Sequence, residues 1–396
     1  MAALAAVALL AYSLLAGEAS SHPLAVAVTA SFAPALNGLG WGTATEQVTL
    51  TSSAPGTIDY SASGAQAIAA TTGTSPVTFA LSAEGTTTIT VTAPSSAVFT
   101  VMIDKTPPSI FVQRTTANSF GWNNTDVTLA WGCNDGGSGI ASCTPKVTVT
   151  AEGANQQVTG TAYDNAGNVS LRTSNVSIDK TAPTISGTAS PAPNTNGWSN
   201  TPVTVTFTCA DALSGIASCT APVTLSAEGE GQSAAGSATD KADNTASATV
   251  KSISIDRTPP LVAFARHAGS VTVDGSVKLD ATATDALSGV ASIAFAHRTV
   301  QAWTLQPGLN SFDSSATDKA GNSTTAKTGL TVRVTIASLE KLTRRLVSKK
   351  PVADALVALL AQHRLASYVS AVAAQKGKSL GAGQAAALVR FAKALK

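Results

Sequence analysis

Charge is scarce in this chain. Asp, Glu, Lys and Arg together make up 12% of its 396 residues, about half the usual share of about 25%. Aromatic residues are 5%, and the four histidines, His22, His267, His297 and His363, neither cluster nor recur. So few aromatics exclude thick cores, and any folded unit should be small. The sequence has no His-Glu-x-x-His pair and no phosphate-cradling glycine loop. No catalytic residue is assigned, and the chain is expected not to be an enzyme. What fills the gap is Thr, Ser, Ala, Val and Gly, and 44% of residues are hydrophobic. That argues against disorder, which pairs low hydrophobicity with high net charge. Small and β-branched side chains suit pleated, half-buried surfaces.

Long apolar runs are missing too, except at the start. Ala2 to Ala16 includes Leu4, Leu9, Leu10, Leu14 and Leu15, and Gly17-Glu18-Ala19 offers small residues for cleavage. Residues 1–23 therefore read as an export signal, although no Lys or Arg precedes the run. Nothing after it approaches the roughly 20 apolar residues that span a bilayer. The expected location is outside the cell, secreted or at its surface. The charge that exists is uneven. Residues 336–396 hold eleven Lys and Arg against Glu340 and Asp354, a net of +9; with +2 for the whole chain, the first 335 carry −7. An acidic body thus precedes a basic end piece.

Internal repetition is the strongest signal. Ile103-Asp104-Lys105-Thr106-Pro107-Pro108 returns as Ile178-Asp179-Lys180-Thr181-Ala182-Pro183 and as Ile255-Asp256-Arg257-Thr258-Pro259-Pro260, at steps of 75 and 77 residues. Gly121-Trp122-Asn123-Asn124 matches Gly197-Trp198-Ser199-Asn200. The turns beginning Asp135, Asp211 and Asp285 match, each leading into Ser-Gly. Ala-Glu-Gly recurs at Ala83, Ala151 and Ala227, and the turns beginning Asp164, Asp240 and Asp318 share an Asp-x-Ala-x-Asn pattern. Four units follow: 24–104, which is the most divergent, 105–180, 181–257 and 258–335. Between landmarks the pattern alternates, as in Val203-Thr204-Val205-Thr206-Phe207-Thr208. Period-2 runs bounded by Gly, Asn, Asp and Pro predict short antiparallel strands. About seven such strands per unit fit a two-sheet sandwich. The expected fold is mainly β: four tandem antiparallel β-sandwiches followed by a small α-helical bundle.

In order, Asp-Lys-Thr-Pro-Pro, Gly-Trp-Asn-Asn, Ser-Gly-Ile-Ala-Ser-Cys, Ala-Glu-Gly and Asp-x-Ala-Gly-Asn resemble the bacterial Ig-like repeats of surface and secreted proteins. The resemblance covers roughly residues 30–335. It implies Ig-like sandwiches in a spacer or adhesin, occasionally as accessory modules on extracellular hydrolases, and fixes no ligand. It also raises the case for calcium at the joints between repeats. Asp104, Asp179 and Asp256 lie at the unit boundaries and Asp164, Asp240 and Asp318 in the Asp-x-Ala-x-Asn turns. Calcium takes six to eight hard oxygens, so these six are candidate ligands for structural Ca2+. Equally, Asp and Asn side chains hydrogen-bond their own backbone in turns. No other cofactor is expected.

The four cysteines form two equally spaced pairs, Cys133/Cys143 and Cys209/Cys219. In the fourth unit both matching positions change together, to Ala283 and Ile293. Loss as a pair predicts a disulfide inside each of units two and three, a staple suited to an oxidising compartment. Trp122 and Trp198 occupy equivalent positions, with Trp41 a third copy. They are either plugs of a thin core or platforms on which a sugar stacks.

Composition changes at Ile336. Leu339, Leu342 and Leu346 share a helical face, Pro351 can open the next helix, and apolar stripes continue to Leu395. About three amphipathic helices are expected over 336–396. Tyr368-Val369-x-x-Val372, Gly377-Lys378-x-Leu380 and the Ala385 to Leu395 helix resemble the FIMAH-type module found at the C-termini of secreted bacterial proteins. Lys341, Arg344, Arg345, Lys349 and Lys350 form a basic cluster, a candidate binding surface for a polyanion or glycan. The function expected is a non-catalytic extracellular structural or adhesive protein: a monomeric, rod-like stalk of repeats presenting a basic docking module. Its partner would be a cell-envelope polymer, a polysaccharide or a surface protein, and not nucleic acid. The alternative is an accessory glycan-binding part of a secreted polysaccharide-active enzyme system.

Overall fold

The computed structural model describes residues 25–265 and 269–395. The signal-like segment, 1–23, lies outside them. The chain divides into two compact units, Met1–Lys180 and Thr181–Lys396.

Each unit opens with two Ig-like β-sandwiches. In the first repeat, Val28–Ala33, Glu46–Ser52 and Val77–Leu81 form one sheet; Trp41–Gly42, Ala97–Ile103, Gly85–Ala93, Thr57–Gly64 and Ile68–Thr74 form the other. In the second, Val147–Val149, Val127–Asn134 and Ser109–Arg114 face Ile140–Cys143, Gly153–Asp164 and Val169–Ile178. The third and fourth repeats each set a three-stranded sheet against a four-stranded one. Pairing is antiparallel with one recurrent exception. The short Trp41–Gly42 strand pairs parallel with the last strand of its repeat, and Trp198–Ser199 and Ser270–Thr272 do the same. There the chain leaves the first sheet and joins the second.

Alternation places the cores where the sequence predicts them. Val203, Val205 and Phe207 are buried while Thr206 and Thr208 face out. The cores differ in size, however. Twelve buried apolar residues form the core of repeat 1, but only four that of repeat 2 and six that of repeat 3. These two sandwiches are thin enough that an aromatic ring fills the gap against a glycine of the facing sheet. A Cβ on Gly160 would lie 2.4 Å from the Trp131 ring, and one on Gly236 would lie 2.7 Å from Phe207. Trp131 and Phe207 each stand two residues before the first cysteine of their repeat, so the two rings are counterparts. The two small-core repeats hold the disulfides. Cys133–Cys143 and Cys209–Cys219 are bonded, with Cα atoms 6.0 Å apart in each. Each clips one sheet to the other, an addition of about 3 kcal/mol for a loop of this size. Small domains with few buried side chains commonly need such a staple.

Repeat 4 has another four-residue core and no disulfide. Its support is the helical module. Four helices follow, α1 (Ile336–Leu346), α2 (Lys350–Ala361), α3 (Leu365–Ala374) and α4 (Ala382–Lys393), where the sequence predicts about three. The extra break separates α2 from α3 at His363, which takes a φ of 53°. No Gly or Pro marks that stop. Thr335 caps α1 by accepting from the Ser338 N–H at 3.1 Å, and Ser338 Oγ accepts from the Thr335 N–H in return, a reciprocal box that satisfies two helix-end donors. The helices do not pack only on one another. Leu339, Leu342, Leu356, Leu360, Tyr368 and Phe391 share one buried cluster with Val273, Ala302 and Val332 of repeat 4. Arg390 secures the seam by donating to the carbonyls of Trp303 and Leu305 at 3.0 and 2.7 Å. Inside the module the Tyr368 hydroxyl meets Thr343 Oγ1 at 2.6 Å. Burial pushes that phenol up to about 12, with the Thr343 bond opposing.

Candidate cation centres at the repeat junctions

Within each unit the junction is assembled from short polar segments of the two adjoining repeats. In the first unit, Asp104 ends repeat 1 and is 1% exposed. Its Oδ1 accepts from the Thr106 N–H at 3.1 Å and its Oδ2 from the Ser138 N–H at 2.6 Å. Asn168 Nδ2 donates to the Asp104 carbonyl at 2.9 Å. From the other side, Asn37 Nδ2 reaches the Asn165 and Ala166 carbonyls at 2.7 and 3.1 Å. Glu84 holds the linker, accepting from the Lys105 N–H and from the Thr106 hydroxyl. In the second unit the same parts recur. Asp256 accepts from the N–H groups of Thr258 and Ser288 at 3.0 Å. Asn322 Nδ2 donates to the Asp256 carbonyl, Asn194 Nδ2 to the Lys319 carbonyl, and Glu228 accepts from Arg257 and Thr258. The boundary Asp and the Asp-x-Ala-x-Asn turn therefore do the turn-and-joint work that the sequence allows.

They also converge. One carboxylate oxygen from each of Asp104, Asp135 and Asp164 lies within 4.8 Å of the others, and the same holds for Asp256, Asp285 and Asp318. Asp211 and Asp240 form the matching pair in repeat 3. Asp179 is buried and donates its N–H to the Asn123 carbonyl at 2.9 Å. Asp135, Asp211 and Asp285 were not among the six sequence candidates. Each belongs to the Asp-x-x-Ser-Gly turn, and only the packing of the turns carries it to the others. The available signal was the recurrence of three aspartates per repeat in register.

These turns preorganise the carboxylates. Asp135 Oδ2 accepts from the Gly137 and Gly139 N–H groups at 3.1 and 2.7 Å. Asp164 Oδ1 accepts from Gly167 and Asn168 at 2.7 and 2.8 Å. Glycine is required at 137, where a Cβ would sit 2.5 Å from Asp104 Oδ2, and at 139, where φ is +81°. Burial pushes the Asp104 carboxyl up, but bonds from Ser138 and Thr106 outweigh it and hold the group below the usual 3.8. Asp211 is likewise held low, burial being outweighed by bonds from Gly215, Leu213 and Ser214. Like charges about 5 Å apart repel by roughly 3 kcal/mol per pair at an effective dielectric constant near 20. A divalent cation would reverse that sign. The donor set is all oxygen, as calcium prefers, and Asp104 Oδ1 and Asp164 Oδ2, which accept one hydrogen bond each, retain a lone pair. A cavity of about 360 Å³ bordered by Trp41, Glu84, Asp104 and Gly137 gives water access to the first-unit centre. The residues present fit calcium completed by water or carbonyl oxygens.

The other sequence candidates fare differently. Trp198 is 8% exposed and Trp122 half-buried, each donating its backbone N–H to the side-chain oxygen of the Asn that opens its loop, Asn194 or Asn118. A ring as covered as Trp198 offers no face for a sugar. Two of the five residues of the basic cluster have partners within the chain, and all five are exposed. Arg344 pairs with Asp354, and Arg345 donates to the Asp274 carbonyl. Lys341, Lys349 and Lys350 remain exposed.

No family model and no curated protein matches the chain. Solved structures of similar fold include the four-domain D1–D4 ectodomain fragment of ICAM-5, at 15% identity over 78% of this chain and 100% of that one, TM-score 0.33. The tetra-tandem repeat in the extending region of a large adhesion protein matches at 17% over 77% and 99%, TM-score 0.28. The fibronectin(III)-like modules of Clostridium thermocellum CbhA match at 11% over 38% and 95%, TM-score 0.22. At these values the likeness concerns the fold alone.

Proposed function

We propose that the chain is a non-catalytic structural or adhesive protein of the cell exterior, a stalk of Ig-like repeats that presents its basic helical module to an acidic surface partner. The observation that carries this reading is where the polar chemistry sits. Its most developed polar networks, in each unit, fix one repeat upon the next, with backbone donors already committed to the carboxylates. The two disulfides support an oxidising location. No helix of the described residues is long and apolar enough to cross a membrane.

Calcium belongs to the same reading. Bound at the aspartate triads, it would cancel their repulsion and stiffen the joint between adjoining repeats. The module supplies the contact, and its net +9 would attract anionic partners over a distance set by ionic strength. The test uses the full chain, because removing the module would uncover Val273 and Val332. Wild type and a Lys341→Glu/Lys349→Glu/Lys350→Glu variant are sedimented with purified cell walls and insoluble polysaccharides at low and high salt. Pelleting of wild type alone, and only at low salt, supports docking through the module. Pelleting that neither salt nor charge reversal alters, or none at all, would sink that part and leave a spacer.

A further inference from the structure

We infer that the helical module recognises an acidic, amphipathic polypeptide segment, which seats apolar side chains between α2 and α3 and its carboxylates at one end. This rests on the docking reading above and names the partner's chemistry.

An open trough of about 300 Å³ runs between the two helices, lined by Val352, Ala355, Leu356 and Leu359 of α2 and Ala371 of α3, with Gln375 the polar exception. The volume falls at the lower end of the range for ligand pockets. Ala355 is exposed on its wall, while Leu356 closes its floor. One end of this trough is basic. α2 and α3 are consecutive and packed together, and Pro351 at the start of α2 shares the trough with Gln375 at the end of α3. Ser348 donates both its N–H and its hydroxyl to the Ser379 carbonyl, at 3.0 and 3.1 Å, tying the flanking loops together. Lys349, Lys350, Lys376 and Lys378 therefore gather there. All four are exposed, and none forms an ion pair among the described residues. The one acid on α2, Asp354, is taken by Arg344 of α1.

An apolar floor with a cationic mouth distinguishes among partners. A polysaccharide polyanion satisfies the lysines but leaves Leu359 and Ala355 facing water. An acidic segment with apolar residues at i, i+3 or i+4, and i+7 satisfies both, as in other helix-in-groove complexes. α2 is 12 residues long, about 18 Å at 1.5 Å per residue, room for two or three turns of such a segment.

The test is fluorescence anisotropy on the full chain with a labelled peptide of about the length of α2, leucines on one face and four glutamates at its N-terminal end. Controls replace its leucines by serine or its glutamates by glutamine; polygalacturonate serves as competitor. The protein variants are Ala355→Asp, at an exposed position where folding should be retained (checked by circular dichroism), and Lys349→Glu/Lys376→Glu. The inference expects each control and each variant to weaken binding by at least about tenfold, or 1.4 kcal/mol. Equal binding of the serine control, or indifference to Ala355→Asp, overturns it. Polygalacturonate binding that needs the lysines but ignores Ala355→Asp overturns it while docking survives. If neither probe binds and cell walls do not pelletise the chain, both fall. Self-association in sedimentation velocity that Ala355→Asp abolishes would make the occupant a second copy, and also overturns it.

Discussion

At the scale of residues, Glu46 buries a carboxyl group where the fold gives it no hydrogen-bond donor. The side chain is buried, neither carboxylate oxygen has a hydrogen-bond donor, and burial pushes its pKa above the ordinary 4.5. A group with a raised folded pKa contributes stability below its unfolded value, and loses it as pH rises through the folded one. Glu46→Gln should therefore raise the melting temperature at pH 7.5 but not at pH 4, measured by scanning calorimetry in chelator. An equal gain at both pH values would remove the charge from the explanation. Asp104 has the opposite sign: its depressed pKa gives stability above 3.8 that is lost as pH falls through the folded value. The triads make a further test, because Asn can keep the turn bonds of Asp while losing the charge. Asp135→Asn and Asp285→Asn should leave stability unchanged or higher in chelator. In calcium each should lose a large part of the wild-type stabilisation, which at a hundredfold excess over Kd is about 2.7 kcal/mol per site. Identical melting curves with and without calcium for wild type would dispose of the metal.

At the scale of elements, the staples decide how each sandwich survives. Reduction should lower the transitions of repeats 2 and 3 and spare repeats 1 and 4, as followed by calorimetry with and without dithiothreitol. Gly160→Ala should destabilise repeat 2 by about 1–3 kcal/mol, because the new methyl meets the Trp131 ring. Arg390→Met should cost about 1.5–3 kcal/mol in the fourth repeat and the helices together, since it strips donors from two carbonyls at the seam; separate transitions for the two would contradict a shared core. Much of this scale was legible beforehand. The strands, the paired cysteines and the boundary aspartates follow from local pattern and repetition. The seam did not, because Arg390 looks like any other cation on a helical face, and only the packing of repeat 4 against the helices brings it to the Trp303 and Leu305 carbonyls. Likewise Arg344 and Arg345 read as docking residues, while their partners, Asp354 and the Asp274 carbonyl, are fixed by how helices and loop fold together. A clue was present in repeat 4, which lacks the cysteines and a counterpart of Trp41, Trp122 and Trp198, and places Arg333 where the strand register of earlier repeats puts Asp104 and Asp256.

At the scale of the whole molecule, charge is partitioned: −7 over the first 335 residues and +9 over the last 61. Binding through the module should weaken steeply as salt shortens the screening length from about 10 Å at 0.1 M. The repeats, whose bonds are short-ranged, should hardly respond. The recurring joint has a consequence for descent. Because Asp104, Ser138 and Asn168 in one unit do what Asp256, Ser288 and Asn322 do in the other, duplicating or excising the two repeats between these boundaries leaves a compatible splice. Recombination can lengthen or shorten this lineage internally without inventing a new contact. Beyond Arg333 it cannot, since the face that would receive another repeat is already fused to the helices; variation in copy number should be sought upstream of residue 258 and not after it.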